Sequence, residues 1–385
     1  MLEDSNPGEA GLSMTEFSDA RFNQDSSCLV ISCPAGFRIY NCNPFSLACE
    51  RDLSAHAHGS VRTVEMMYRC NILAVVGDDN VSWNAEQTDR GSVQWTRNVL
   101  LLWDDKDCCE IARLVFNSSI TNVKLSRHLL LVAVVDELHV YHLHDMKLLD
   151  TFSTFYNPQG LCSLAANDDM NIIAFPSPTR GIIGLAYYHL DCTNGALLSR
   201  EGTTILAHNS DICSLCLSVD GLLVVSASRR GRFIRIWNAF SGELLQVLRK
   251  VLVVGMIRLC VLSPDATILC TVSKLNVVLV YRVDPQSPRI RRTVRDEPPS
   301  AADRASFVPI NGMDHMRFCL HFRLLQRHRL YKMFTFAFSR YYPDALVVAC
   351  TFLPTTNNLL LVLSNGHVQR LGVTGRLRLL ADHSL

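Results

Sequence analysis

One element recurs along this chain and restricts its fold more than any other feature. It is a turn, then a short apolar strand with an aromatic near its end, then a polar turn. It reads GFRIYN (Tyr40), VLLLWDD (Trp103), LHVYHL (Tyr141), GLAYYHL (Tyr187), FIRIWNAFSG (Trp237) and VVLVYRV (Tyr281), with a worn copy at GHVQRL (Arg370). Successive spacings are 63, 38, 46, 50, 44 and 89 residues. Four of these are close to the ~40 to 45 residues of a four-stranded propeller blade. The two long ones contain insertions, near Asp78 to Asn98 and near Asp284 to Arg329. Seven copies predict an all-β, seven-bladed β-propeller. A blade cannot bury both of its faces alone, so each must pack on its neighbours around a ring. The N-terminal segment is expected to complete the last blade and remove the exposed sheet edges at the closure.

The rest of the chain agrees with an all-β reading. Apolar runs such as SCLVISC, NILAVVG, HLLLVAVV, GLLVVSAS and NNLLLVLS alternate with turn residues, and helical periodicity is nearly absent. Hydrophobic residues make up 48% of the chain and charged residues 19%, which supplies a core and excludes global disorder. The net charge is +1, so attraction to an anion must come from local clusters. No run reaches the ~18 to 20 apolar residues that span a bilayer. Leu129 to Val135 stops at Asp136, and Val251 to Leu262 carries Arg258. The N-terminus, MLEDSNPGEAGLSMTEFSD, is polar and acidic, without the regions of a signal peptide. A cytoplasmic protein is expected, with a flexible tail at 1–16, the propeller at 17–385 and a flexible insertion at about 284–312. The 15 cysteines are scattered and mostly within apolar runs, Cys213 and Cys216 included. They read as small buried hydrophobes of a reducing compartment. No cofactor is expected.

The fullest blade runs from Ala207 to Val247. His208, Ser226 and Trp237 stand there at the intervals of the hydrogen-bonded set of WD40 blades. Longer strings carry a more specific resemblance: RFNQD (21–25), GFRIYNCNPF (36–45), VEMMYRCNILAVVG (64–77), LLLWDD (100–105), YNPQGLC (156–162) and IIAFPSP (172–178), in that order. With these the chain resembles the PROPPIN family, and its WIPI branch most. The resemblance implies a WD40-like propeller that binds phosphatidylinositol 3-phosphate or the 3,5-bisphosphate at two rim pockets and serves autophagy. It implies as partners a phosphoinositide-containing membrane and autophagy proteins such as a lipid-transfer protein. It places the protein on phagophore, endosomal or vacuolar membranes.

The family pockets flank an Arg-Arg-Gly motif that follows Phe or Leu. Here the stretch reads Leu248-Arg249-Lys250-Val251, which keeps the first arginine, trades a guanidinium for an ammonium and loses the glycine. Guanidinium groups bond phosphate oxygens in pairs, which ammonium groups do not. By resemblance, the first pocket maps to His208, Ser228, Arg230, Arg232, Arg235 and Arg249. Arg229, Arg230, Arg232 and Arg235 stand with no acid between Gly221 and Gly242. The second pocket retains Ser273 and Lys274, while Val277 and Leu279 replace a threonine and a histidine of the family pattern. That pocket is expected to be weak or absent. His208 has two open roles, ligand contact or the bond to Ser226 that holds a WD40 blade.

The insertion after Tyr281 corresponds to the family's membrane-contacting loop. Its second part, 313–334, reads either as a basic amphipathic membrane segment or as propeller strands. The sequence offers no phosphate-cradling loop, nucleophile elbow or metal-ligand constellation, so an enzyme is not expected. Near-neutral charge without aromatics interleaved among the arginines argues against nucleic acid. The alternative to a lipid-reading scaffold is a degenerate propeller that only binds other proteins.

Overall fold

The computed structural model describes residues 17–53, 60–79, 95–166, 170–191, 197–230, 232–249, 255–284, 334–337, 345–373 and 377–385. Its strands form seven four-stranded sheets, each an antiparallel meander of consecutive strands. The expected seven-bladed propeller is therefore present. Blade 1 comprises Asp19–Phe22, Cys28–Cys33, Gly36–Cys42 and Phe45–Asp52. Blade 2 comprises Ser60–Met66, Ile72–Asp78, Val99–Asp104 and Cys109–Val115, and blade 3 Asn122–Leu125, Leu129–Ala133, Glu137–His142 and Leu148–Ser153. Blade 4 comprises Ser163–Ala166, Met170–Pro176, Ile182–Leu190 and Leu197–Leu206, and blade 5 Ile212–Leu217, Leu223–Ser228, Phe233–Asn238 and Leu244–Arg249. Blade 6 comprises Ile257–Leu262, Ile268–Ser273, Val277–Arg282 and Phe334–Ala337, and blade 7 closes with Arg378–Ser384. The outer strand of blade 6 thus begins at the end of the 313–334 segment. The rest of that segment, the 285–312 insertion and the 1–16 tail lie outside the described residues.

Four second strands are buried along their whole length, CLVISC, LLLVA, LVVSAS and LLLVL, and the other three are half-buried only at their ends. Successive side chains of a strand point to opposite faces, and in a propeller both faces meet a neighbouring blade. In blade 1, Cys28 and Val30 pack against blade 2, while Leu29 and Ile31 pack against blade 7. The buried apolar residues accordingly divide into seven clusters, one at each blade–blade contact. Each fully buried aliphatic side chain contributes ~1.5 to 3 kcal/mol.

The recurring element is the third strand of every blade. Tyr40, Trp103, Tyr141 and Trp237 each follow a register shift against the outer strand. Together with Tyr281, they pack toward the preceding blade. Two copies need correction. In blades 4 and 7 the residue after the register shift, facing the preceding blade, is Leu190 and Leu371. Tyr187 instead faces blade 5, where its hydroxyl donates to the Ala239 carbonyl and its ring stacks on Phe240. One residue along a strand reverses the face, so the blade count stands while the register in these two blades differs.

Among the described residues, the N-terminal segment does not exchange into the last blade as expected. Asp19–Phe22 is the inner strand of blade 1, and Arg378–Ser384 supplies the outer strand of blade 7 from the chain's own end. The seam closes through side chains: Ala20, Leu29, Ile31 and Tyr40 interlock with Leu353, Leu360, Val362 and Val368. Phe45 stacks on His383 with centroids 4.7 Å apart.

Near the ring's centre, RFNQD ties three blades together. Arg21 bonds Asp19 at 2.7 Å, Glu65 of blade 2 at 3.0 Å, and Asn122 and the Val123 carbonyl of blade 3 at 2.8 and 2.9 Å. Gln24 donates to the carbonyls of Met66 and Leu125, both at 2.9 Å. Burial works against the Arg21 charge, but Asp19 and Glu65 outweigh it and hold the guanidinium ionised. Burial likewise opposes the Asp19 carboxylate, yet Arg21 and the Thr63 hydroxyl outweigh that cost and hold its pKa below the ordinary value. In blade 5, the buried Ser226 hydroxyl accepts from Trp237 Nε1 at 2.9 Å and bonds His208 Nε2 at 2.9 Å. The WD40 set anticipated from the sequence is thus assembled.

Arg21→Met should destabilise the fold by about 3 to 5 kcal/mol, because it removes the cation that answers Asp19 and leaves the nearly sealed Glu65 with Lys124 alone. Urea unfolding followed by tryptophan fluorescence measures this. The Asp19 contribution is present at neutral pH and is lost as pH falls below about 4. Arg21→Met should therefore flatten the acid limb of the stability profile. Ser226→Ala should cost about 1 to 3 kcal/mol, since it leaves a buried indole N–H and an imidazole without their partner; thermal melting reads this loss.

Candidate functional site

The arginine-rich site sits where blade 5 meets the connection from blade 4. Ser228 ends the second strand, buried and opposite Ile212. The turn that follows carries Arg229, Arg230 and Arg232, all exposed. It is held to the incoming connection by Arg229 N–H to the Asp211 carbonyl at 2.9 Å and Arg230 N–H to Ser210 Oγ at 3.4 Å. The connection is itself docked on blade 4, because Ala207 and His208 both donate to the Gly181 carbonyl at 3.0 and 2.9 Å. Gly181 has φ +75°, and a Cβ there would fall 1.7 Å from the His208 oxygen. Only glycine permits that approach.

Arg249 ends the outer strand and is paired with Phe233, the first residue of the third strand. Arg235 lies between Ser226 and Val247 in the sheet. It donates through Nη1 to the Ala207 carbonyl, while its Nε is sealed from solvent without a hydrogen-bond partner. The structure therefore brings Ser228, Arg230, Arg232, Arg235 and Arg249 to one end of one blade. Among the described residues no carboxylate reaches ion-pair distance of Arg235 or Arg249. His208 reaches the same place, but it is buried and its Nε2 is committed to Ser226. Lys250 and Gly231 lie outside the described residues.

One member of the site was not apparent in the sequence. Arg180, in the turn before Gly181, bonds Asp211 with Nε to Oδ1 at 2.6 Å. That Arg180 bond, then the charges of Arg180, Arg229 and Arg230, hold the Asp211 carboxyl below its ordinary pKa. An acid thus borders the arginine turn from the neighbouring connection. The pair joins residues on two blades, and no local pattern signals it.

The second pocket position has different chemistry. The buried Ser273 hydroxyl accepts from the Leu275 N–H at 3.2 Å and the Val277 N–H at 3.1 Å, closing its own turn. Asn276, at φ +58°, bridges to blade 7 by donating to the Ala345 carbonyl at 2.6 Å and accepting from the Val347 N–H at 2.8 Å. Val277 and Leu279 belong to the apolar contact between blades 5 and 6. Lys274 is exposed on the turn, and its N–H donates to the Met256 carbonyl at 2.9 Å. Among the named groups of this turn, Lys274 is the one presented to an anion.

Comparison with known proteins follows the same lines. Residues 16–303 match the PROPPIN family. SVP1-like protein 2 of Pichia angusta is 31% identical over 272 residues, covering 70% of this chain and 71% of that protein. Autophagy-related protein 18 of Dictyostelium discoideum is 28% identical over 269 residues, covering 68% of this chain and 64% of that protein. The solved structure of Kluyveromyces lactis Hsv2 superimposes with a TM-score of 0.66 over 96% of this chain and 98% of its own, at 19% identity. Seven contiguous blades, the ordered strings and a family match over most of the chain agree, and the chain belongs to the PROPPIN family of β-propellers, alongside the autophagy-related protein 18 group.

Proposed function

We propose that this protein is a non-enzymatic scaffold of autophagy that is recruited to membranes by a phosphoinositide headgroup bound at the end of blade 5. The supporting observation is the convergence of Arg230, Arg232 and Arg249 as exposed guanidiniums around the half-buried Arg235. Guanidiniums remain charged at all physiological pH values and present paired donors to phosphate oxygens. Near an anionic bilayer, each basic group adds ~1 kcal/mol of attraction. Phosphatidylinositol 3-phosphate and the 3,5-bisphosphate are the headgroups that family membership favours. The protein would then be cytoplasmic and peripheral on phagophore, endosomal or vacuolar membranes, where other faces of the ring bind autophagy proteins such as a lipid-transfer protein.

A second reading rests on the blade 6 turn. Ser273 is spent on its own backbone, and Val277 and Leu279 are core residues. A propeller that had lost both pockets would act through protein contacts alone.

Flotation with vesicles of phosphatidylcholine, with and without phosphatidylinositol 3-phosphate, separates the two readings. Lipid-dependent flotation of the unmutated protein is expected, and flotation that ignores the phosphoinositide favours the second reading. The double variant Arg230→Ala with Arg249→Ala should lose at least tenfold in vesicle affinity while keeping its melting temperature. Binding equal to the unmutated protein would remove blade 5 from the proposal.

A further inference from the structure

Two cysteines that read in sequence as ordinary core residues, Cys216 and Cys260, meet across the contact between blades 5 and 6. Cys216 lies on the inner strand of blade 5, Ile212–Leu217, and Cys260 on the inner strand of blade 6, Ile257–Leu262. Residues two apart on a strand share a face, so Ser214 and Cys216 form one row. That row looks toward blade 6, because the Ser214 hydroxyl donates to Cys260 Sγ at 3.1 Å. Cys260 belongs to the apolar cluster between the two blades, and Cys216 packs against the same cluster. The two thiols also share a hydrogen bond of their own. An anion on Cys260 therefore has two donors. The Cys216 thiol and then the Ser214 hydroxyl outweigh burial and hold Cys260 below the ordinary thiol pKa. The bond to Cys260, then burial, holds Cys216 above it.

The next contact around the ring provides an internal control. Cys270, on the second strand of blade 6, faces Cys350, on the inner strand of blade 7, within the cluster between those blades. The bond to Cys350 and burial together push the Cys270 thiol well up, and Cys270 is sealed from solvent. Cys216 is only half-buried. A reactive cysteine needs a stabilised thiolate and a route from solvent, and a buried thiol without them is inert. The pair between blades 5 and 6 has both properties, the thiolate at Cys260 and the opening at Cys216.

We infer that Cys216 and Cys260 form an oxidation site, at which a peroxide converts the two thiols into a disulfide that joins blade 5 to blade 6. The Cys260 thiolate attacks one oxygen of hydrogen peroxide, and the O–O bond breaks. The hydroxide released takes up the proton that Cys260 gave up and leaves as water. Cys216 Sγ then attacks the sulfenic sulfur of Cys260. The S–S bond forms, the S–O bond breaks, and the second hydroxide takes the Cys216 proton. Two thiols lose two electrons, and the peroxide is reduced to two waters. A thiol reductant reverses the change. The loop closed by this bond, 216–260, contains Arg229, Arg230, Arg232, Arg235 and Arg249. A crosslink limits the unfolded chain, so oxidation steadies the blade that carries the arginine cluster. The inference is independent of the lipid reading.

The test treats the folded, unmutated protein with hydrogen peroxide. Remaining thiols are blocked with N-ethylmaleimide during denaturation, and the monomer is digested with trypsin without reductant for mass spectrometry. A Cys216–Cys260 link is expected, while Cys270 and Cys350 carry maleimide. Dithiothreitol should remove the link. Cys213 shares a tryptic peptide with Cys216, so two variants assign the bond: Cys213→Ser should keep it and Cys216→Ser should abolish it. Recovery of both Cys216 and Cys260 with maleimide after peroxide overturns the inference. So does a link that survives Cys216→Ser, or a Cys260 sulfinic acid formed in the unmutated protein without any link. A Cys270–Cys350 link that forms equally fast overturns it as well, since neither the hydrogen-bond donors nor the opening would then select the site.

Discussion

Every blade of this ring has two apolar faces and no water-facing side on which to place either. The rest of the structure depends on that constraint. It explains why the second strands read as mainly apolar runs such as CLVISC and LLLVL: both sets of alternating side chains enter a core, and a polar residue such as Ser226 is accepted there with its hydrogen bonds made. It also makes stability a property of neighbours. Seven clusters, each shared by two blades, mean that no blade holds its own core and that the ring must close for any contact to be complete. Side chains that leave this regime, such as Tyr187 reaching Phe240, still do so to fill a contact between blades.

Closure without strand exchange puts unusual weight on side chains at the seam and at the centre. Cooperative pairing of an exchanged strand is replaced by the interlock of blades 1 and 7 and by the Arg21 staple across blades 1, 2 and 3. A staple of charged groups is effective here because it is fully answered. Arg21 meets Asp19, Glu65, Asn122 and a carbonyl, and Glu65 also meets Lys124 at 3.2 Å. An unanswered member would cost more than the pair contributes. The strings that resemble the family are thus largely the parts that hold the first three blades together, while blade 5 carries the arginine cluster.

Much of the fold was legible because the third strand ends in a bulky residue at a conformational irregularity, and such a residue is hard to replace. The register shift after Ile39, Leu102, Val140 and Ile236 places Tyr40, Trp103, Tyr141 and Trp237 over the preceding blade. Where the aromatic is lost, as at Leu190 and Leu371, the sequence still shows a strand but not which residue takes the place. The closure was not legible, because a terminal strand such as Asp19–Phe22 can pair with either neighbouring blade on the same apolar pattern. The candidate site divides similarly. Arg229, Arg230 and Arg232 share one turn and could be read locally, whereas His208 was open between ligand contact and the bond to Ser226 until the structure placed its Nε2 on Ser226. The Arg180–Asp211 pair, made between blades 31 residues apart, could not.

The charge of the site is fixed by architecture. Net charge for the chain is +1, yet blade 5 is polarised along its strands, with arginines at one end and Asp220 and Glu243 at the other. Asp211 sits inside the positive end without cancelling it, because its carboxylate is held by Arg180, a side chain from the neighbouring blade. Arg180 also keeps that carboxyl ionised well below neutral pH. The one histidine drawn into it, His208, is buried and tied to Ser226. The polarity of blade 5 is thus set by which side chains the fold brings to each end of its strands.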